Sequence, residues 1–463
     1  MAEARPDCPG CADLTKKVEA LLERVRELEA RLKEHSGNSS RPPSSDPPWA
    51  PRKAKKPTGN KPGGQPGHEG TSRELVRVPD ANVNHVYPTT CRGCGHALSS
   101  ANAREHSGPL RHQVTELPPL VATVSEHQLH ELECPDCGLR TRAPLPVGVP
   151  ARAFGPRLQA VAAHLVGHHR QSRRLTAEFL TETCGAPISV GAVSALERAT
   201  SAALEKPYAE AKAALELARS VGADETGTRE GRRRAWLWVA VTQLVTVFRV
   251  DPRRSRAALL ALLGAAFEGI VTSDRYSAYG ILPLARRAAC WAHLKRDFQK
   301  LVDRGGAGAE IGAWGLAEVK RLFELWHLFR AGTIDRASLA QQLAPVKARM
   351  GRLLRRGLAA DPKTARFCQN LQAIWLALWT FSREDGVEPT NNASERALRP
   401  AVIWRGTSFG AHSSAGSRFT ERILTVGATL RKHGRNVLAY LEAACRAAIE
   451  RAPAPALLPA PSG

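Results

Sequence analysis

Between Ser220 and Cys290 the polar and apolar positions alternate in short blocks of the kind a sheet requires. Ser220 to Asp224 reads as a first strand. Ala235 to Thr242 and Leu244 to Val250 are apolar, β-branched and aromatic, as core strands are. Ser255 is a candidate N-cap for a helix over Arg256 to Gly264, whose leucines recur at helical spacing. Gly269 to Ser273 predicts a fourth strand and Arg286 to Cys290 a fifth. On either side the pattern is helical. Leu158, Val161 and Leu165, then Leu175, Phe179 and Leu180, share helical faces. Thr183 to Ser189 breaks that run, and Ser189 can cap a short helix over Val190 to Arg198. Helix, glycine-containing break and short helix fit a helix-turn-helix, and they also fit a plain helical bundle. Trp314 to Ser382 predicts a long helical insert, and Ile423 to Tyr440 a further helical run.

The first residues carry a different period. Leu14, Val18, Leu21, Val25, Leu28 and Leu32 form an a/d seam flanked by Glu and Arg. The seam predicts a dimerisation helix or, alternatively, an amphipathic helix packed on its own chain. From His35 to Gly70 no period survives, and Ser, Pro, Gly and Lys dominate. Such a stretch cannot bury enough apolar surface to fold alone. It reads either as a linker or as a basic arm, with Lys53, Lys55 and Lys56 as candidate DNA contacts.

Composition sharpens this picture. The net charge of +22 over 463 residues favours a polyanionic partner. Arg173 and Arg174 would line the surface beside the helix-turn-helix and are further candidate DNA contacts. No stretch is apolar for long enough to span a bilayer, and the N-terminal residues are unlike a secretion signal, so a soluble intracellular protein is expected. Ten cysteines in that setting point to metal rather than disulfides. Cys91-x2-Cys94 and Cys134-x2-Cys137, each followed by glycine, predict a closed structural Zn2+ site in a small ribbon whose strands lie within Val114 to Leu132. Cys8-x2-Cys11 has no second pair nearby.

Three acids complete the pattern. Asp224 ends the first strand, Asp274 follows the fourth, and Glu395 lies near the start of a helix. Each alone would be an ordinary turn or surface residue. In this order around a mixed sheet they match a ribonuclease-H-like core, and three such carboxylates can hold Mg2+ or Mn2+ for phosphoryl transfer.

Over nearly its whole length the chain resembles the insertion-sequence-66 family of bacterial DDE transposases. The resemblance rests on His35 to Asp46, Gly63-Gly-Gln-Pro-Gly-His68, the four cysteines, Pro187 to Ser194, Asp224-Glu-Thr226, Cys290-Trp-Ala-His-Leu-Lys-Arg-Asp-Phe298 and Asn391-Asn-Ala-Ser-Glu-Arg-Ala-Leu-Arg-Pro400. It implies that Asp224, Asp274 and Glu395 are the catalytic and metal-binding triad. It also implies cleavage at the ends of a mobile element and transfer of the freed 3′ hydroxyl to target DNA. The expected partners are double-stranded DNA at both steps, a homodimer or larger synaptic assembly, and small accessory proteins, all in the cytoplasm at the nucleoid. Cys290, His293, Arg396 and Arg399 are candidate supports of the site, with Cys290 and His293 read as positioning Asp274. A lysine often stands in the family where Gly406 does here, so Arg405, Arg399 or Arg418 would supply that phosphate contact. A non-catalytic DNA-binding regulator, a domesticated transposase and a nuclease without strand transfer are the competing readings.

The expected architecture is therefore α/β, a ribonuclease-H-like core with a helical insertion. Its parts are a coiled coil over 1–35, a disordered linker over 36–75 and a zinc ribbon over 76–150. A helix-turn-helix-like domain over 151–215 follows, then a catalytic domain over 216–445 with its insertion at about 305–385, and a disordered tail over 446–463.

Overall fold

The structure is a computed structural model and describes residues 9–32, 34–35, 38, 74–76, 83–99, 101, 104 and 107–459. Lys53, Lys55, Lys56 and Cys8 lie outside the described residues. The chain divides into two units, Pro51–Leu120 and the remainder.

In the larger unit, α1 (Pro9–Leu32) carries the heptad seam. Leu14, Val18, Leu21, Val25, Leu28 and Leu32 are all exposed, so the seam is not packed against the described residues of its own chain. A hairpin follows, β1 (Glu131–Glu133) with β2 (Arg140–Arg142). Four helices come next: α2 (Pro156–Gly167), α3 (Arg173–Cys184), α4 (Val190–Ala203) and α5 (Glu205–Glu216). The central sheet is built from β3 (Ser220–Glu230), β4 (Arg233–Val241), β5 (Thr246–Asp251), β6 (Ile270–Ser273) and β7 (Arg287–Ala289), with α6 (Arg256–Leu263) crossing between β5 and β6. After α7 (Trp291–Arg304) the insertion comprises α8 (Ala307–Arg330), α9 (Arg336–Gly357), α10 (Pro362–Ala373) and α11 (Trp375–Leu378). The chain then returns through α12 (Asn392–Ser408), α13 (Ser414–Lys432) and α14 (Val437–Glu450).

Strand order is β5-β4-β3-β6-β7. The β3–β4 and β4–β5 pairs are antiparallel, and β3–β6 and β6–β7 are parallel. The elements expected from alternation are present, with one change of length. The first strand does not stop at Asp224. It runs on to Glu230, because Gly231 takes a left-handed conformation (φ +58°) and closes a tight hairpin to Arg233.

Burial explains the layers. Trp238, Val239, Val247, Phe248, Leu259, Leu262, Ile423 and Leu430 are buried in one core joining the sheet to α6 and α13. Trp291, Phe298, Trp326, Trp379 and Phe381 belong to a second core that holds α7 against the insertion. The outer edge of β5 is closed by side chains of α13. Val250 N–H donates to Glu421 (2.7 Å), Phe248 N–H to Thr425 (2.9 Å) and Thr246 N–H to Thr429 (3.2 Å). These acceptors recur every four residues, so one helical face satisfies a whole strand edge.

Two expectations fail. Val114 to His130 contains no strand, and Val114, Leu117, Val121 and Val124 are exposed, because no partner strand runs beside them. The tail is also more ordered than its composition suggests. α14 continues to Glu450, and Leu457 is buried, with its N–H bonded to Glu210 (2.9 Å).

Candidate active site

The central strand and its loss of a neighbour create the site. β6 pairs with β3 only from Ser220 to Gly222, and it ends one residue before Asp274. Beyond Gly222 the β3 edge has no strand beside it, and α12 takes that place. Asn391 Nδ2 donates to Ala223 O (2.7 Å), while Arg405 reaches Thr226 Oγ1 (3.0 Å) and Gly227 O. Asp224 therefore lies within the strand, between α12 and the end of β6. Asp274 is fixed by an Asx turn, its Oδ1 accepting Tyr276 N–H at 2.8 Å. Glu395 sits in the first turn of α12, where the helix dipole favours a negative charge.

α7 forms the far wall. Arg296 Nη2 stands 3.2 Å from Glu395 Oε1, and His293 Nδ1 stands 3.6 Å from the same oxygen. That His293 nitrogen is buried without a hydrogen-bond partner. Burial, with help from Arg296 and Arg275, holds the imidazole down to about 4, so it is neutral near pH 7. Arg275 is engaged elsewhere, with Asp297 (2.5 Å). Cys290 caps nothing by its thiol but accepts Asn391 N–H (3.2 Å), and its own N–H donates to Ser273 O (2.9 Å).

The electrostatics are lopsided. Burial lifts the Asp224 carboxyl to about 8, and the charges of Glu225, Asp274 and Glu395 add to it against the opposing hydrogen bond from Glu225 N–H. Its neighbour Glu225 points to the other face of the strand, where Arg254 Nε (2.8 Å) and Tyr279 OH (2.6 Å) hold it. The guanidinium of Arg254 in turn lies 3.6 Å over the Tyr276 ring. One face of β3 thus holds a compensated acid and the other an uncompensated one.

Among the described residues no three His, Cys, Asp or Glu side chains are close enough to hold a metal ion. Asp224, Asp274 and Glu395 influence one another without forming a closed ligand shell. Their donor set is all oxygen, the chemistry a hard divalent cation prefers. A cation there would oppose both the burial and the neighbouring acids that raise Asp224.

The sequence profile of the transposase IS66 family matches residues 152–418, more than half of the chain and all three acids. The chain belongs to the transposase IS66 family. Residues 2–74 match a second family, DUF6444, described as of unknown function. Two relatives come from Sinorhizobium fredii. The uncharacterized protein y4qI is 28% identical over 235 residues, 45% of this chain and 42% of the relative. The uncharacterized protein y4hP is 25% identical over 394 residues, 76% of this chain and 69% of the relative. The chain thus spans less than half the length of the first.

Other expected residues of this IS66-family chain are placed as follows. Of the four cysteines expected to hold zinc, Cys91 and Cys94 fall in the smaller unit and Cys134 and Cys137 in the larger. Each pair nevertheless makes the same knuckle. Gly95 N–H donates to Cys91 O and Gly138 N–H to Cys134 O, both at 2.9 Å, with φ of +74° and +69° at the glycines. Backbone N–H groups lower the thiols of Cys91 and Cys134 in the same way. Arg173 forms a two-pronged pair with buried Glu197 (2.7 and 2.8 Å). Arg174, Arg396 and Arg399 are exposed, and Arg405 is committed to β3. α3 ends at left-handed Gly185, and Ser189 caps α4 by accepting Ala192 N–H, as expected. Among the described residues no helix is long and apolar enough to cross a membrane.

Sequence reading quoted Arg296, Glu225, Asn391 and Ser394 within motifs without giving them a part in the site, and passed over Arg254. Arg296 was detectable, being one helical turn from His293 and so on its face. Glu225 was not, since its partners lie 29 and 54 residues away.

Proposed function

We propose that the protein is a DNA transposase that binds the terminal inverted repeats of its element and performs divalent-metal-dependent strand cleavage and strand transfer with Asp224, Asp274 and Glu395. The observation that carries this reading is the half-buried Asp224 carboxyl, raised by burial and by the charges of Glu225, Asp274 and Glu395, the last two borne by separate elements. The sheet order, with three antiparallel strands followed by two parallel ones, is that of a ribonuclease-H-like core, and it supports the same assignment.

The three carboxylates would hold Mg2+ or Mn2+, which supplies an activated attacking oxygen and charge stabilisation at the leaving one. The rest falls to the chain itself. Glu225, clamped by Arg254 and Tyr279, fixes the backbone at Asp224. Arg296 is the cation nearest Glu395 and is placed to receive phosphate charge when that carboxylate turns to metal. Neutral His293 keeps a ring nitrogen without a hydrogen-bond partner beside the acids and adds no positive charge there. The exposed α1 seam supports a homodimer, which two-ended synapsis requires. The cysteine knuckles offer two thiolates each, half of a structural Zn2+ site. With Arg174, Arg396 and Arg399 as DNA contacts, the protein would act on the bacterial nucleoid, with or without accessory proteins.

The test is magnesium-dependent nicking and joining of a labelled duplex bearing the element's own end, comparing wild type with Asp274→Asn and Glu395→Gln. Activity lost in both variants with DNA binding retained supports the reading. Tight binding by wild type without cleavage, even with the accessory proteins added, would favour a regulator.

A further inference from the structure

We infer that Asn391 is a positioning residue that sets the spacing of the three carboxylates, an inference that rests on the catalytic reading above. Asn391 stands one helical turn before Glu395. Its Nδ2 donates to Ala223 O (2.7 Å), the residue ahead of Asp224. Its backbone N–H donates to Cys290 Sγ (3.2 Å). Cys290 N–H donates in turn to Ser273 O (2.9 Å), the residue ahead of Asp274. One residue at the head of α12 is thereby tied to the backbone immediately before both aspartates.

Three further observations separate this from simple gluing of a helix to a sheet. Asparagine is a favoured helix cap, yet the Asn391 side chain makes no cap bond to α12. Its amide is used on the strand instead. A Cβ at Gly222 would stand 2.7 Å from Ser394 Oγ and 2.8 Å from Asn391 Oδ1, so α12 approaches β3 at a distance only glycine permits. Asn391 Oδ1 and Ser394 Oγ are both buried there without a partner, which costs stability. A junction held close at that cost, at the last residue of β3 that pairs with β6, is suited to setting a distance rather than to adding stability.

The test uses the full chain and three variants, Asn391→Leu, Gly222→Ala and their combination. Gly222→Ala disturbs the same contact from the strand side, should Asn391→Leu fold poorly. Mn2+ affinity is read from the shift of the unfolding temperature, alongside DNA affinity and the Mn2+ dependence of cleavage. The expected result is DNA affinity near wild type with Mn2+ affinity weaker by about 10- to 100-fold, as for residues that orient metal ligands. The double variant should be no worse than the poorer single one, since both break one contact. Mn2+ affinity within about twofold of wild type in folded variants would overturn the inference. Asp224→Asn, run in parallel, separates the two readings. If it keeps the full Mn2+ shift, the metal site itself is misassigned. If it loses the shift while Asn391→Leu keeps it, only the positioning role fails.

Discussion

Two acids in this molecule, one buried and one half-buried, are treated in opposite ways. Glu318, in the helical insertion, is completely buried, and Arg321 (2.6 Å) and Arg349 (2.9 Å) both hold it. Asp224, in the sheet, is packed among other acids and is lifted to about 8. Glu318 is complete within the chain and serves to dock α8 on α9. Asp224 has a backbone N–H but no basic side chain holding it, and the proposed function gives it a cation from outside. Burial alone therefore does not single out a candidate functional acid; burial without a paired base does.

The comparison can be broken in several ways. The largest effect is expected at the sheet. Asp224→Asn or Glu395→Gln should reduce strand joining on the order of a thousandfold or more, since metal charge stabilisation is worth several kcal/mol. Glu318→Gln should leave joining intact in the folded fraction. It should cost about 3 kcal/mol in denaturant unfolding, the low end for a broken buried pair because both guanidinia reach solvent.

The next effect has the opposite sign. With Asp224 lifted from an ordinary 3.8 to about 8, the folded metal-free chain keeps a proton that the unfolded chain has released. Stability contributed at this site must then fall as pH rises between about 4 and about 8. Asp224→Asn should flatten that slope and raise the metal-free unfolding temperature near pH 8. A steeper slope in the variant would contradict the assignment.

A smaller change should follow at the outer edge of the sheet, where no charge is at stake. Thr425→Val leaves Phe248 N–H buried and unpaired and should cost about 1–3 kcal/mol without altering joining. The least effect on joining chemistry is expected at the knuckles. Cys134→Ser with Cys137→Ser should abolish retained zinc, measured by metal analysis after desalting, while the carboxylate-dependent Mn2+ shift persists. Zinc retained by that variant, or absent from wild type, would remove the zinc reading.

Much of the fold was legible because it is local. Ser255 and Ser189 cap the helices they were expected to cap, and the strands over 235–250 and 269–273 fall where alternation and β-branching put them. The three acids were proposed from motif and order, and the metal and joining experiments above test them. The knuckle turns followed from Cys-x2-Cys-Gly, since a left-handed glycine is a local requirement.

What the sequence determined by itself was thus whatever depends on a few neighbouring residues: periodicity, caps, turns, charge and the identity of the acids. The tertiary structure decided the rest. It extended β3 past Asp224, because strand length depends on a partner. It committed Arg173 to Glu197 and brought Arg296 to Glu395, pairs 24 and 99 residues apart that no local pattern encodes. It placed α12 along the strand edge that β6 leaves open, with Asn391 at the joint. Packing sets a carboxyl's proton affinity through burial and through charges distant in sequence, so the raised proton affinity of Asp224 could appear only once the chain had folded.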